Sequence, residues 1–171
     1  ATPAYAVGSA SASGLVFDND YEAEGQLDLT VTKTINGVTA TADREGLFSF
    51  TLENATGMPV HKETKQNGTD GKAVFTPVEY TEADIGKTYV YTVTESGAPA
   101  SGYTADPSVY TVTAEITDNF DGTLNVKKTV TKGGVTVGDP VFNNLYTADG
   151  DLLLTVTKTV NGASVTGARS G

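Results

Sequence analysis

The chain has 171 residues, no cysteine and no tryptophan, one methionine, one histidine and a formal net charge of −10. That length accommodates one domain with a sizeable core, or one domain flanked by parts of its neighbours, and disulfides add nothing to it. The acidic balance argues against nucleic acid and anionic membrane surfaces as partners, and no run approaches the roughly 18 apolar residues of a membrane span.

The opening ATPAYAVGSASASG lacks the basic start and long apolar stretch of a signal peptide. The targeting signal of a secreted protein is therefore expected outside the given residues. From there on, threonine, valine, tyrosine and glycine recur in short alternating runs, and no stretch keeps the i, i+3, i+4 apolar spacing of a helix. Strands are predicted at LDLTVTKTI (27–35), LFSFTL (47–52), KAVFTP (72–77), KTYVYTVTE (87–95), VYTVTAEIT (109–117), TLNVKKTVT (123–131) and PVFNNLY (140–146). Asn36-Gly37 and Asp121-Gly122 are tight-turn signals, and the polar stretch 53–71 reads as a long mobile loop. About seven short strands at this spacing predict an all-β, immunoglobulin-like sandwich.

The chain also repeats itself. VFDNDYEAEGQLDLTVTKTING from Val16 aligns without a gap on VFNNLYTADGDLLLTVTKTVNG from Val141, an offset of 125 that pairs Asn19 with Asn144 and Lys33 with Lys158. Such a period marks an array of similar units. Residues 1–25 read as the last strand of a preceding repeat plus a junction, 26–147 as one complete sandwich, and 148–171 as a junction and the first strand of a following repeat.

Period-two alternation places three polar side chains on apolar faces. Lys33 shares a face with Leu27, Leu29, Val31 and Ile35; Glu95 lies in phase with Tyr89, Tyr91 and Val93; Asn144 lies between Phe142 and Tyr146. The adjacent Asn143 is the alternative asparagine, although phase favours Asn144. Burial disfavours charge, lowering a lysine pKa and raising that of a glutamic acid. A neutral amine is a nucleophile, and a protonated carboxylic acid can polarise an amide. Held together in a dry core, the three groups favour attack of the Lys33 amine on the Asn144 carboxamide, with Glu95 relaying the proton and ammonia leaving.

A lysine in the first strand, Tyr89-x-Tyr91-x-Val93-x-Glu95 in the middle and Phe142-x-Asn144-x-Tyr146 at the end resemble the streptococcal pilin isopeptide-linkage domains, relatives of the Cna-B-like modules of Gram-positive pilins and adhesins. The terminal motif recurs upstream as Phe17-x-Asn19-x-Tyr21. The resemblance implies an autocatalytic bond between Lys33 and Asn144 with Glu95 as the catalytic acid/base, and a place in a cell-surface stalk or pilus. Asn19 and Lys158 are then the equivalent positions of neighbouring repeats. No sortase sorting signal and no clear pilin-type lysine motif is present, so this segment does not support sortase polymerisation.

Each of these signals has a plainer reading. A lone strand lysine usually snorkels to solvent from an edge, and a buried but unreacted Lys33–Glu95 salt bridge is the main alternative to the cross-link. Asp-rich DNFDG (118–122) and TADGD (147–151) lack the spacing of a twelve-residue calcium loop and read as turns. His61 has no companion ligands and is expected in a solvated loop, Asn54-Ala55-Thr56 and Asn67-Gly68-Thr69 match only the short glycosylation sequon, and no metal site, cofactor or turnover-enzyme constellation is predicted. The expected function is a secreted structural stalk module of a cell-wall fibre or adhesin. Its partners would be neighbouring repeats, with any host ligand bound at a distal tip. The competing reading is a repeated carbohydrate- or host-protein-binding sandwich, against which stands the lack of an exposed aromatic platform.

Overall fold

In a computed structural model of the chain, residues 20–56, 61–97 and 101–164 are described; the expected Phe17 and Asn19 lie outside them. The strands are β1 (Glu24–Leu27), β2 (Thr30–Ile35), β3 (Val38–Thr39), β4 (Ser49–Thr56), β5 (Lys62–Gln66), β6 (Lys72–Val74), β7 (Val78–Thr81) and β8 (Thr88–Ser96). They continue as β9 (Tyr103–Thr104), β10 (Val109–Asp118), β11 (Leu124–Lys132), β12 (Val135–Val137), β13 (Val141–Tyr146), β14 (Thr159–Val160) and β15 (Ala163–Ser164). Among the described residues, helix is confined to two 3-10 turns, Ala42–Arg44 and Glu82–Asp84. The fold is therefore all-β, and all seven predicted strands are present.

One sheet runs β12-β11-β10-β8-β4-β5, and the other runs β3-β2-β13-β9 with β6 also paired to β2. Alternation decides what faces inward. Leu29, Val31 and Phe142 from the second sheet meet Phe50, Leu52, Tyr91, Val93, Val112 and Ala114 from the first in one buried cluster. Burying an aliphatic or aromatic side chain of this size stabilises by about 1.5 to 3 kcal/mol relative to exposure. A one-residue slip in any of these strands would turn its apolar set to water.

Strands near the two ends of the unit are neighbours. β13 lies parallel to β2 with Phe142 opposite Lys33 and Asn144 opposite Ile35, and because the two run in the same direction the chain enters at one pole and leaves at the other. The Asn36-Gly37 turn after β2 adopts positive φ at both residues (51° and 81°), which suits the right-handed twist of a hairpin.

Several expectations need correction. The stretch 53–71 is not simply a mobile loop: it carries β5, paired with β4 from Ser49↔Gln66 to Glu53↔Lys62. Its residues KETKQ are polar on both faces, as suits an edge strand, so no apolar alternation marks it. β7 and β12 are likewise too short to show a pattern. The β10–β11 hairpin exists, but it pairs from Asp118↔Leu124 and its loop carries Phe120 at φ 62°, so Asp121-Gly122 is not a two-residue turn. Tyr146, expected inward, is 36% exposed.

Candidate functional site

Lys33, Asn67 and Asn144 are the fully buried polar residues among those described, at 0, 2 and 0% exposure. Two of them meet. Strand β2 delivers Lys33, β8 delivers Glu95 from the opposite sheet, and β13 delivers Asn144 beside β2. The Lys33 Nζ donates to Glu95 Oε2 at 3.0 Å, and both side chains are fully excluded from solvent. Asn144 Nδ2 donates to the other carboxylate oxygen, Oε1, at 2.7 Å. Glu95 thus bridges the amine and the carboxamide, one oxygen to each.

The walls are aromatic. Lys33 Nζ lies 4.7 Å from the centre of the Phe48 ring, Phe50 and Phe142 pack at 5.3 Å, and Tyr110 meets Phe142 edge-on at 5.1 Å. In this setting desolvation pushes the Lys33 pKa below its ordinary value, a trend that the hydrogen bond and charge of Glu95 oppose without reversing. The neutral, nucleophilic amine is therefore easier to reach than on an exposed lysine.

Asn143 is placed elsewhere. Its side chain is exposed, and Oδ1 accepts from Gly37 N at 2.8 Å and Thr34 Oγ1 at 3.0 Å, pinning the turn after β2. Lys158 is exposed and lies in none of these contacts. His61 is not in a solvated loop: it is partly buried, with its ring edge-on to Tyr91 at 6.1 Å. No group of residues suited to a metal ion occurs among the described residues, and Asp118 and Asp121 cap their own turn through Phe120 N and Thr123 N.

Sequence reasoning missed two contributors. The first is Asp106, whose backbone N–H donates to Asn144 Oδ1 at 2.8 Å. Its carboxylate accepts from Ser108 N at 2.9 Å, from the Ser108 hydroxyl, and from Asn143 N at 2.8 Å. Burial would raise the Asp106 pKa, but these hydrogen bonds outweigh it and hold the group below the usual carboxylate range. Asp-Pro-Ser is legible as turn chemistry; that its amide points at a residue on β13 is not. The second is Asn67, which accepts from Phe48 N at 3.0 Å and donates to Arg44 O at 2.9 Å and Gly68 O at 3.3 Å. It fixes the segment that carries Phe48 over the amine, and its sequon amide is wholly engaged.

The family model for FctA, the Spy0128-like isopeptide containing domain, matches residues 29–147, more than half of the chain. The chain belongs to this family. Among curated proteins none matches significantly. Among solved structures it is similar to the major pilin protein (T-13) from Streptococcus pyogenes, at 18% identity over 75% of this chain and 54% of that one, with a TM-score of 0.45. It is also similar to the major pilin from Streptococcus pyogenes, at 18% identity over 75% of this chain and 51% of that one, with a TM-score of 0.39. The chain thus spans about half the length of these pilins.

Proposed function

We propose that the domain is a load-bearing stalk module of a bacterial surface fibre, closed by an isopeptide bond that it forms itself between Lys33 and Asn144. The single observation that carries this reading is the dry Glu95 bridge, with its two oxygens on the nucleophile and on the leaving nitrogen. The Nζ–Cγ bond forms as the Cγ–Nδ2 bond breaks. With Nζ in its neutral form, the Glu95 carboxylate takes a proton from it as it attacks and passes that proton to the departing Nδ2, so the carboxylate ends unchanged and ammonia leaves. The Asp106 N–H supports the charge that develops on Asn144 Oδ1, the role of an oxyanion donor. Fixed proximity supplies much of the rate, since groups held in register reach effective molarities of about 10⁵ M or more.

The stalk role follows from where the bond lies. The chain enters the unit through β1, runs directly into β2 and leaves through β13, which lies parallel to β2, so tension passes between β2 and β13 through the side-chain amide and bypasses the residues between. Membership of the isopeptide-containing family supports the same reading. The repeat at 125 residues suggests that units follow one another along the fibre, at the cell surface, with neighbouring repeats as their partners.

Pulling single molecules by their two ends tests this. The wild-type unit should not lengthen, whereas Asn144→Ala should release the roughly 110 residues between the pair, on the order of 350 Å of chain. A wild-type unit that lengthens as the variant does would contradict the load path.

A further inference from the structure

We propose that consecutive units are joined without slack: the segment running from the last strand of one unit into the first of the next is docked on both, so neighbouring units move as one body. The inference rests on the repeat reading above. It is drawn from two copies of the same segment, each observed from a different side.

Residues 20–27 display the side that faces the following unit. Tyr21 donates its hydroxyl to Asp118 Oδ1 at 2.6 Å, Ala23 is 1% exposed, and Glu24 N donates to Gly122 O at 3.2 Å. β1 then pairs with β7 from Glu24↔Thr81 to Leu27↔Val78. Gly25 is required there, because a Cβ on it would lie 2.8 Å from Leu124 Cβ. This segment is therefore built into the unit that follows it.

Residues 144–147 display the side that faces the preceding unit. Tyr146 exchanges hydrogen bonds with Asn36, donating its N–H to Oδ1 at 2.9 Å and accepting from Nδ2 at 3.0 Å. Its ring packs on Tyr103 at 4.6 Å. Thr147 N donates to Gly102 O at 2.9 Å, and a side chain at Gly102 would clash with Thr147 O at 2.7 Å. The chain is held by its own unit as far as Thr147.

The offset of 125 superposes the two views: Tyr21 corresponds to Tyr146, Ala23 to Ala148 and Gly25 to Gly150. Thr147 is the last residue fixed to one unit and Ala148, as the counterpart of buried Ala23, the first fixed to the next. No free residue remains between them. The junction tyrosine serves both sides, its ring seated on the unit it ends and its hydroxyl on the aspartate of the unit that follows. A flexible linker, by contrast, needs several unanchored residues to decouple two bodies.

The test is the whole chain with residues 26–150 duplicated in place, aligned in a dilute liquid-crystalline medium for residual dipolar couplings. Both units are expected to report one alignment tensor, and a Gly-Ser-Gly insertion between Thr147 and Ala148 is expected to split it in two. Two tensors from two folded units without the insertion would overturn the rigid joint and leave the cross-link untouched. A shared tensor that survives the insertion would overturn the argument from missing slack. A second copy that fails to fold would overturn the repeat reading, and with it this proposal.

Discussion

Residues 27–39 and 152–164 have nearly the same sequence, but only the first is packed against the strands of a complete unit. Both contain an Asn-Gly turn with the asparagine at φ 51° or 52°, and both hairpins pair in the same register, Thr34↔Thr39 and Thr159↔Ser164. The first copy buries Leu27, Leu29, Val31 and Lys33 to 2% exposure or less, whereas Leu152, Leu154 and Val156 of the second are 75 to 89% exposed. The hairpin is therefore a local property of the sequence. The environment of the lysine is not: it is supplied by β8, β13 and β6, which the second copy does not meet here. A buried lysine in this fold is made by its neighbours.

Removing a bonding partner from the complete unit is the strongest way to erase the difference between the two copies. Lys33→Ala or Asn144→Ala should abolish the bond and open the loop that it closes. For a disulfide of similar span, loop closure contributes about 4 to 5 kcal/mol through the entropy of the unfolded chain, which corresponds to a fall in Tm of roughly 10 to 20 °C. Each variant also strands a buried polar partner, at a cost of about 1 to 3 kcal/mol. Calorimetry of wild type and variants checks this, and equal melting temperatures would mean that no covalent closure exists.

Glu95 sharpens the comparison differently, because its loss should leave Lys33 enclosed but inert. Glu95→Ala is expected to fold and to slow bond formation by about 10² to 10⁴-fold, the usual contribution of a positioned proton carrier. Pulsed cell-free synthesis followed by mass analysis over time reads the rate. Bond formation at the wild-type rate would remove Glu95 from the chemistry.

A smaller effect is expected at Asp106, which acts by holding its own N–H against Asn144 Oδ1. Asp106→Ala keeps that amide but releases the clamp from Ser108 and Asn143, so a slowing of about tenfold is expected, less than for loss of an oxyanion donor outright. The effect on folding should be measured separately in the Lys33→Ala background. A rate loss explained entirely by a smaller folded fraction there would reduce Asp106 to a structural residue.

The smallest effect belongs to the second copy. Lys158→Ala should change neither bond formation nor melting temperature in this chain, because Lys158 lies outside the Glu95 and Asn144 contacts. A drop in cross-linking on peptide mapping would show that the exposed strand competes for the site.

Much of this is legible in the sequence because alternation is a local rule. Lys33, Glu95 and Asn144 declare themselves by sitting in phase with buried neighbours, and the turn after β2 declares itself by Asn-Gly. What stays hidden depends on contacts between distant parts of the chain. The Asp106 amide finds Asn144 across 38 residues, Asn67 supports Phe48 across 19, and β5 owes its strand character to pairing with β4, not to an apolar face. Tyr146 breaks the alternation because its ring packs on Tyr103 at the end of the sheet, outside the core between the sheets.

The central claim, that the buried amine and carboxamide have become one bond, is tested most directly by the intact mass of the folded chain. The account predicts the sequence mass less one ammonia, with fragmentation linking the Lys33 and Asn144 peptides. A mass equal to that of the sequence would contradict it, leaving Lys33 and Glu95 as an unreacted buried pair.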